Sequence, residues 1–182
     1  MEEDRYKNKY RTSSFRKPNW DYGSHGLYFV TICTHERIHY FGEINETCTE
    51  TQGIVSLRET PIAEIARQNW LSIPQYHPYI ELDEFVLMPN HLHGIVFINR
   101  PDKVNWEINK FGSQSQNLAS IIRGYKSSVK KYATMNSIDF KWQSKYHDRV
   151  IRDEKEYQNI TYYIAENPTR WKSDPDNILF SP

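Results

Sequence analysis

The chain has 182 residues, 38% of them apolar, and a mean hydropathy of −0.79. That is the size of one domain with one core, and no run approaches the ~18 apolar residues of a membrane-spanning helix. Basic and acidic residues balance at 23 each, so net charge argues neither for nor against a polyanionic partner. Cys33 and Cys48 form no CxxC pair and the N-terminus lacks the apolar core of a leader. A reduced cytoplasmic setting without a disulfide framework is therefore expected.

Residues 1–25 read as a polar arm without apolar periodicity, 26–171 as the core, and 172–182 as a loosely attached tail rich in Pro and Asp; together they form one domain over 1–182. Gly26 to Thr34, GLYFVTICT, is a continuous apolar run, as expected of a central strand covered on both faces. Phe41–Ile44 and Ile54–Leu57 are short strand-like pieces around a polar loop, a peripheral hairpin. Thr60-Pro61 is a helix start, with Thr at the N-cap and Pro at the first helical position. Ile62, Ile65, Ala66, Asn69, Trp70 and Ile73 follow at helical spacing until Pro74.

Tyr79 to Met88 and His91 to Ile98 predict two antiparallel strands joined at Pro89-Asn90. Asn99 to Gln116 is a long polar loop. Asn117 to Thr134 predicts a helix with Leu118, Ile121, Ile122, Tyr125, Val129 and Tyr132 as its apolar stripe. A loop over 135–144, a strand over Tyr146–Ile151 and a helix over Asp153–Asn167 complete the core. Asp153 with Glu156 forms a capping-box pattern, and Pro168 is the expected stop. With the hairpin set aside, the first six elements follow the split βαββαβ order of an α+β, ferredoxin-like fold with an antiparallel sheet.

Two charge runs stand out. Arg5, Lys7, Lys9, Arg11, Arg16 and Lys17 lie in a stretch free of acids and interleaved with Tyr6, Tyr10 and Phe15. Lys110, Arg123, Lys126, Lys130 and Lys131 lie in another acid-free stretch, with Arg123, Lys126 and Lys130 along one flank of the second helix. Segregated cations with aromatics suit a phosphate backbone and stacked bases, but from charge alone a solvated face and a floppy arm is the preferred reading.

His91 and His93 flank Leu92 immediately after the Pro89-Asn90 turn. On a strand, residues two apart share one face at roughly 7 Å between Cα atoms. Two imidazoles so placed can grip one metal ion, or serve as two structural histidines. On the last helix, with about 100° per residue, Tyr157, Ile160, Thr161 and Ile164 define a buried face. Tyr163 and Asn167 fall together on its flank, one turn apart, and Tyr162 points to solvent. That flank presents a hydroxyl and an amide to a cleft, or belongs to an ordinary amphipathic helix. His147 and Asp148, on the strand before that helix, read as a strand-end polar pair or a minor part of a site.

Taken together, YFVTICTHER at Tyr28–Arg37, FGEI at Phe41–Ile44, ELDEFVLMPNHLHGIV at Glu81–Val96, LASIIRGYKSSV at Leu118–Val129, WQSKYHDRVIRDEKEY at Trp142–Tyr157 and YIAENPTRW at Tyr163–Trp171 resemble one family. It is that of the single-tyrosine HUH transposases, most closely the REP-associated tyrosine transposase branch, and the blocks span nearly the whole chain. The resemblance implies a ferredoxin-like core with an inserted hairpin, the histidines on a central strand and a C-terminal catalytic helix. It implies Tyr163 as nucleophile and His91, His93 and Asn167 as ligands of Mg²⁺ or Mn²⁺, with no small-molecule cofactor. The substrate would be single-stranded or hairpin DNA, cleaved and rejoined through a 5′-phosphotyrosine. Arg123, Lys126, Lys130 and Lys131, with Arg11, Arg16 and Lys17 of the arm, would hold the DNA backbone. The loop Asn99–Gln116 has no counterpart in it, so no sequence preference carries over.

A tyrosine hydroxyl, with a pKa of ~10, is a poor nucleophile at neutral pH, which is why a phosphate-polarising metal would be needed beside it. Two rivals remain: a domesticated module that binds hairpins without cleaving, and a metal phosphodiesterase that uses water. The short connection before the last helix favours a monomer in which Tyr163 reaches its own histidines, over a dimer exchanging that helix.

Overall fold

The computed structural model describes residues 19–49, 52–105 and 115–174, with the backbone alone at 46–49 and 52–55. The Arg5–Lys17 run, the middle of the 99–116 loop and the end of the tail lie outside the described residues. The described residues form six strands, β1 (Gly26–Cys33), β2 (Gly42–Thr49), β3 (Gln52–Glu59), β4 (Ile80–Met88), β5 (His91–Ile98) and β6 (His147–Ile151). Four helices accompany them: α1 (Pro61–Leu71), the short α2 (Ile73–Tyr76), α3 (Leu118–Met135) and α4 (Glu154–Arg170). Strands β4, β5, β1 and β6 form one sheet in that order, and every neighbouring pair is antiparallel. This is the ferredoxin-like arrangement; β2 and β3 pair with each other as a separate hairpin. None of the described helices is long and apolar enough to cross a membrane.

Alternation along the strands sorts side chains onto two faces. Tyr28, Val30 and Ile32 of β1, Leu92, Val96 and Ile98 of β5 and Val150 of β6 pack in one core with Ile62, Ala66 and Trp70 of α1 and Ile121, Ile122, Tyr125 and Val129 of α3. Asn69, the polar member of the α1 pattern, donates to Ser128 Oγ at 3.0 Å and so links α1 to α3. Gly94 is what lets Trp70 lie against the sheet, because a Cβ there would stand 2.5 Å from the indole Cζ2. On the opposite face Ile95, Ile151, Ile160 and Ile164 form a second, smaller core with Leu27, Phe29, Val86 and Tyr157. That core holds α4 on the face that α1 and α3 leave uncovered.

The local signals place the helices well. Thr60 accepts from Ala63 N at 3.3 Å, Asn117 and Ser120 form a reciprocal capping box, and Asp153 accepts from Glu156 N at 2.8 Å. Three boundaries differ from the sequence expectation. Strands β2 and β3 run through the expected polar loop, since ladder hydrogen bonds need no apolar side chains. Pro74 sits in the first turn of α2, where its missing N–H costs nothing, instead of ending α1. Pro168 lies inside α4, which continues to Arg170. So near a helix end proline removes one bond, and the buried Trp171 (5% exposed) holds the terminus down.

Candidate active site

β5 is an inner strand, so most of its residues are buried on both faces. His91 (1% exposed) and His93 (5% exposed) project from it towards α4, their ring centroids 4.4 Å apart. Each ring is held by a hydrogen bond through Nδ1. For His91 the partner is Asn90 Oδ1 at 2.7 Å. Because Asn90 Nδ2 donates to Arg37 O at 3.0 Å, the Asn90 oxygen must face the ring, and His91 carries its proton on Nδ1. For His93 the partner is Thr31 Oγ1 at 2.8 Å, which stands opposite it in the β1–β5 register.

Tyr163 lies on α4, 40% exposed, with its hydroxyl 3.2 Å from His93 Nε2. With Tyr163 donating there, His93 also carries its proton on Nδ1, donated to Thr31. Phe29 stacks on His93 at 5.4 Å and meets Tyr163 edge-on at 6.2 Å, so one ring fixes both partners. Asn167, one turn further along α4, is 3% exposed, and its Oδ1 has no hydrogen-bond partner. His91 Nε2 is likewise buried and unbonded. Trp171 closes the other side of His91 at 6.0 Å.

Burial, with the Arg37 charge behind it, pushes His91 down to about 3, although the neighbouring Asn167 amide works the other way. Burial, then His91 and Arg37, holds His93 well below its ordinary value. Both imidazoles are therefore neutral near pH 7, with lone pairs on Nε2 directed into the space beside Asn167 Oδ1 and the Tyr163 hydroxyl. Two buried acceptors left without donors are costly unless something else meets them. A divalent cation fits that need: two imidazole nitrogens with the opposite ring atom hydrogen-bonded, plus an amide oxygen. Among the described residues no three His, Cys, Asp or Glu side chains gather to hold a metal, so the third donor here would be the Asn167 amide.

Lys126 and Lys130, among the described candidates, are engaged elsewhere. α3 packs on the opposite face of the sheet. Lys126 Nζ donates to Gln143 O at 2.6 Å and to Ser144 O at 3.1 Å, and Lys130 Nζ to Phe140 O at 2.7 Å, so both ammoniums tie down the loop before β6. Arg123 and Lys131 are exposed. His147 shares the histidine face, in register with Thr31, whereas Asp148 pairs with Val30 on the side packed by α1 and α3. Arg11, Arg16 and Lys17 lie outside the described residues. Sequence reasoning missed Thr31, Asn90 and Phe29, which hold the two imidazole rings. Asn90 adjoins the HLH triplet and could have been noticed; Thr31 and Phe29 enter only through strand register.

No family model matches the chain. An uncharacterized protein of Haemophilus influenzae is 36% identical over 170 residues, covering 88% of this chain and 90% of that one. A solved REP-associated tyrosine transposase, bound to a REP hairpin, superposes over 87% of this chain and 74% of its own with a TM-score of 0.56. Its sequence identity is 18%, so that likeness is one of fold.

Proposed function

This chain belongs to one family with the uncharacterized Haemophilus influenzae protein, and from its site we propose that it is a tyrosine transposase of the HUH type that cleaves and rejoins single-stranded or hairpin DNA. The observation that carries the reading is the Tyr163 hydroxyl 3.2 Å from His93 Nε2, beside two buried, unbonded acceptors on His91 and Asn167. A shared fold with a transposase bound to a REP hairpin supports hairpin DNA as the substrate class.

In the proposed reaction Tyr163 Oη attacks a backbone phosphorus. The bond from phosphorus to Oη forms as the bond from phosphorus to the 3′-oxygen breaks. Tyrosine loses its proton and the departing oxygen gains one, leaving a free 3′-hydroxyl and a 5′-phosphotyrosine. No oxidant or reductant is required. The covalent link keeps the phosphodiester available for attack by another 3′-hydroxyl, which strand transfer needs and hydrolysis does not. His91, His93 and Asn167 would hold Mg²⁺ or Mn²⁺, which when bound neutralises charge on the phosphate and polarises its P–O bonds. Phe29 and Thr31 keep the His93 ring and the Tyr163 hydroxyl in register, and Asn90 does the same for His91. The exposed Arg123 and Lys131, with Arg11, Arg16 and Lys17 of the arm, would contact the DNA backbone beyond the site. Lys126 and Lys130 would act there mainly through the loop they anchor.

The test is a covalent-trapping assay on labelled single-stranded and hairpin DNA with Mg²⁺ or Mn²⁺. A protein–DNA adduct that disappears in Tyr163→Phe is expected. An adduct that survives this change sinks the assignment of the nucleophile. Hairpin binding without any adduct points to a non-cleaving module, and turnover retained in Tyr163→Phe points to water as nucleophile.

A further inference from the structure

We infer that Tyr162 and Arg170 form a strand-binding subsite beside the nucleophile. A base of the single strand stacks on the Tyr162 ring, and an adjoining phosphate meets the Arg170 guanidinium; the inference rests on the DNA reading given above. Tyr162 immediately precedes Tyr163 on α4 and is 59% exposed, while Tyr163 itself is 40% exposed. The nucleophile thus sits at the surface end of its cleft, and a strand laid on its hydroxyl leaves past the outer side of α4. An exposed tyrosine by itself means little, because singly exposed apolar groups are ordinary. What sets this one apart is its neighbour.

Tyr163, Asn167 and Arg170 follow the i, i+4, i+7 spacing of one helical stripe. Arg170 stands in the last turn of α4, where a cation meets the negative end of the helix dipole. Were that its whole use, the guanidinium would stay by the terminal carbonyls. Instead its Cζ lies 5.7 Å from the centroid of the Tyr162 ring. Tyr162 and Arg170 are about 12 Å apart along the helix axis. The side chain therefore runs back along α4 and brings its charge to the ring next to the nucleophile.

Charge points the same way. Glu166 stands one turn from each of the two, at the spacing of a helical ion pair. Its carboxylate lies 3.5 Å from Thr169 Oγ1. Among the described residues no carboxylate comes within ion-pair distance of Arg170, which is exposed. A guanidinium that turns its face to an aromatic ring keeps its planar fork of N–H donors for phosphate oxygens. Exposed rings stack bases of any sequence, and a cation beside them holds the backbone. A tyrosine and an arginine so paired on the rim of the site offer both contacts to one strand.

The experiment measures affinity for hairpin DNA with a single-stranded arm, without added metal so that binding is read apart from cleavage. The arm carries one abasic nucleotide at successive positions. Tyr162→Ala, Tyr162→Phe and Arg170→Ala are compared with the unaltered chain, and far-UV circular dichroism checks that α4 is kept. If Tyr162 stacks a base, one abasic position weakens binding to the unaltered chain about tenfold or more. Tyr162→Ala shows that loss on the intact arm and no further loss at that position, while Tyr162→Phe behaves as the unaltered chain. Arg170→Ala weakens binding to every arm and lowers the salt slope by about one. Unchanged affinity in Tyr162→Ala overturns the subsite, as does a sensitive position that persists in that variant. An unchanged salt slope in Arg170→Ala removes the arginine from it. The Tyr163 reading is judged separately, by adduct formation. An adduct without the abasic coupling strikes the subsite alone, coupling without an adduct strikes the nucleophile alone, and no binding overturns both.

Discussion

At the scale of single residues, the site works by taking histidines out of water and fixing their protons. His91 lies near 3 and His93 also well below the ordinary value, burial being the leading cause for both. An unfolded histidine titrates near 6.5. Below that pH the unfolded chain takes up protons that the folded chain refuses, so the folded state loses ground as acid is added. In the absence of metal, stability should therefore fall as pH drops below about 6.5, each buried histidine adding up to about 1.4 kcal/mol per pH unit while it stays neutral in the folded chain, which for His91 holds down to about 3. Urea midpoints at pH 7, 5.5 and 4.5 measure this slope. The His91→Asn/His93→Asn double variant should flatten it by about two protons. A slope unchanged in that variant would show that these rings do not titrate as their burial requires.

At the scale of elements, the position of Tyr163 depends on how α4 is seated. β4 breaks register between Leu82 and Phe85, and Asp83, next to Leu82 of the larger core, faces α4 by strand alternation. Tyr157, at the start of α4, donates to Asp83 Oδ2 at 2.8 Å. At the N-terminus of the helix Glu156 accepts from Arg152 N at 2.9 Å and pairs with Arg149. Ile160 and Ile164 then fill the second core, and Trp171 closes the end. The Tyr157–Asp83 bond is thus the polar stop that sets where the helix lies along the sheet. Tyr157→Phe should lower global stability by about 1 kcal/mol. Amide exchange in α4 should quicken while that in α1 and α3 stays unchanged. Equal protection of α4 in both proteins would mean that the apolar contacts alone seat it.

At the scale of the whole molecule, the question is whether nucleophile and histidines come from one chain. Only Arg152 and Asp153 separate the end of β6 at Ile151 from the start of α4 at Glu154. A connection that short lets α4 fold back over the strand it has just left, and Tyr163 meets His93 of the same chain. A mixture of Tyr163→Phe and His91→Asn chains should accordingly form no more adduct than either alone. Recovery of adduct in the mixture would show that α4 is exchanged between two copies.

Much of this arrangement was legible in the sequence because it is written in local rules. The two-residue spacing of His91 and His93 puts them on one face of any strand, and the capping residues Thr60, Asn117 and Asp153 mark helix starts whatever the helix packs against. The one-turn spacing of Tyr163 and Asn167 likewise aligns them on any helix. The βαββαβ order limits the topologies open to the sheet. What local rules cannot supply is register and facing. That Thr31 stands opposite His93 follows from the β1–β5 ladder. The ammoniums of Lys126 and Lys130 are turned onto loop carbonyls because that loop lies beside α3. The carbonyl of Arg37 is fixed because its turn is tied to Asn90, a residue distant in sequence. The chain by itself determined which groups could share a face. The tertiary structure decided which of them meet, because only packing sets the distances over which hydrogen bonds and charges act.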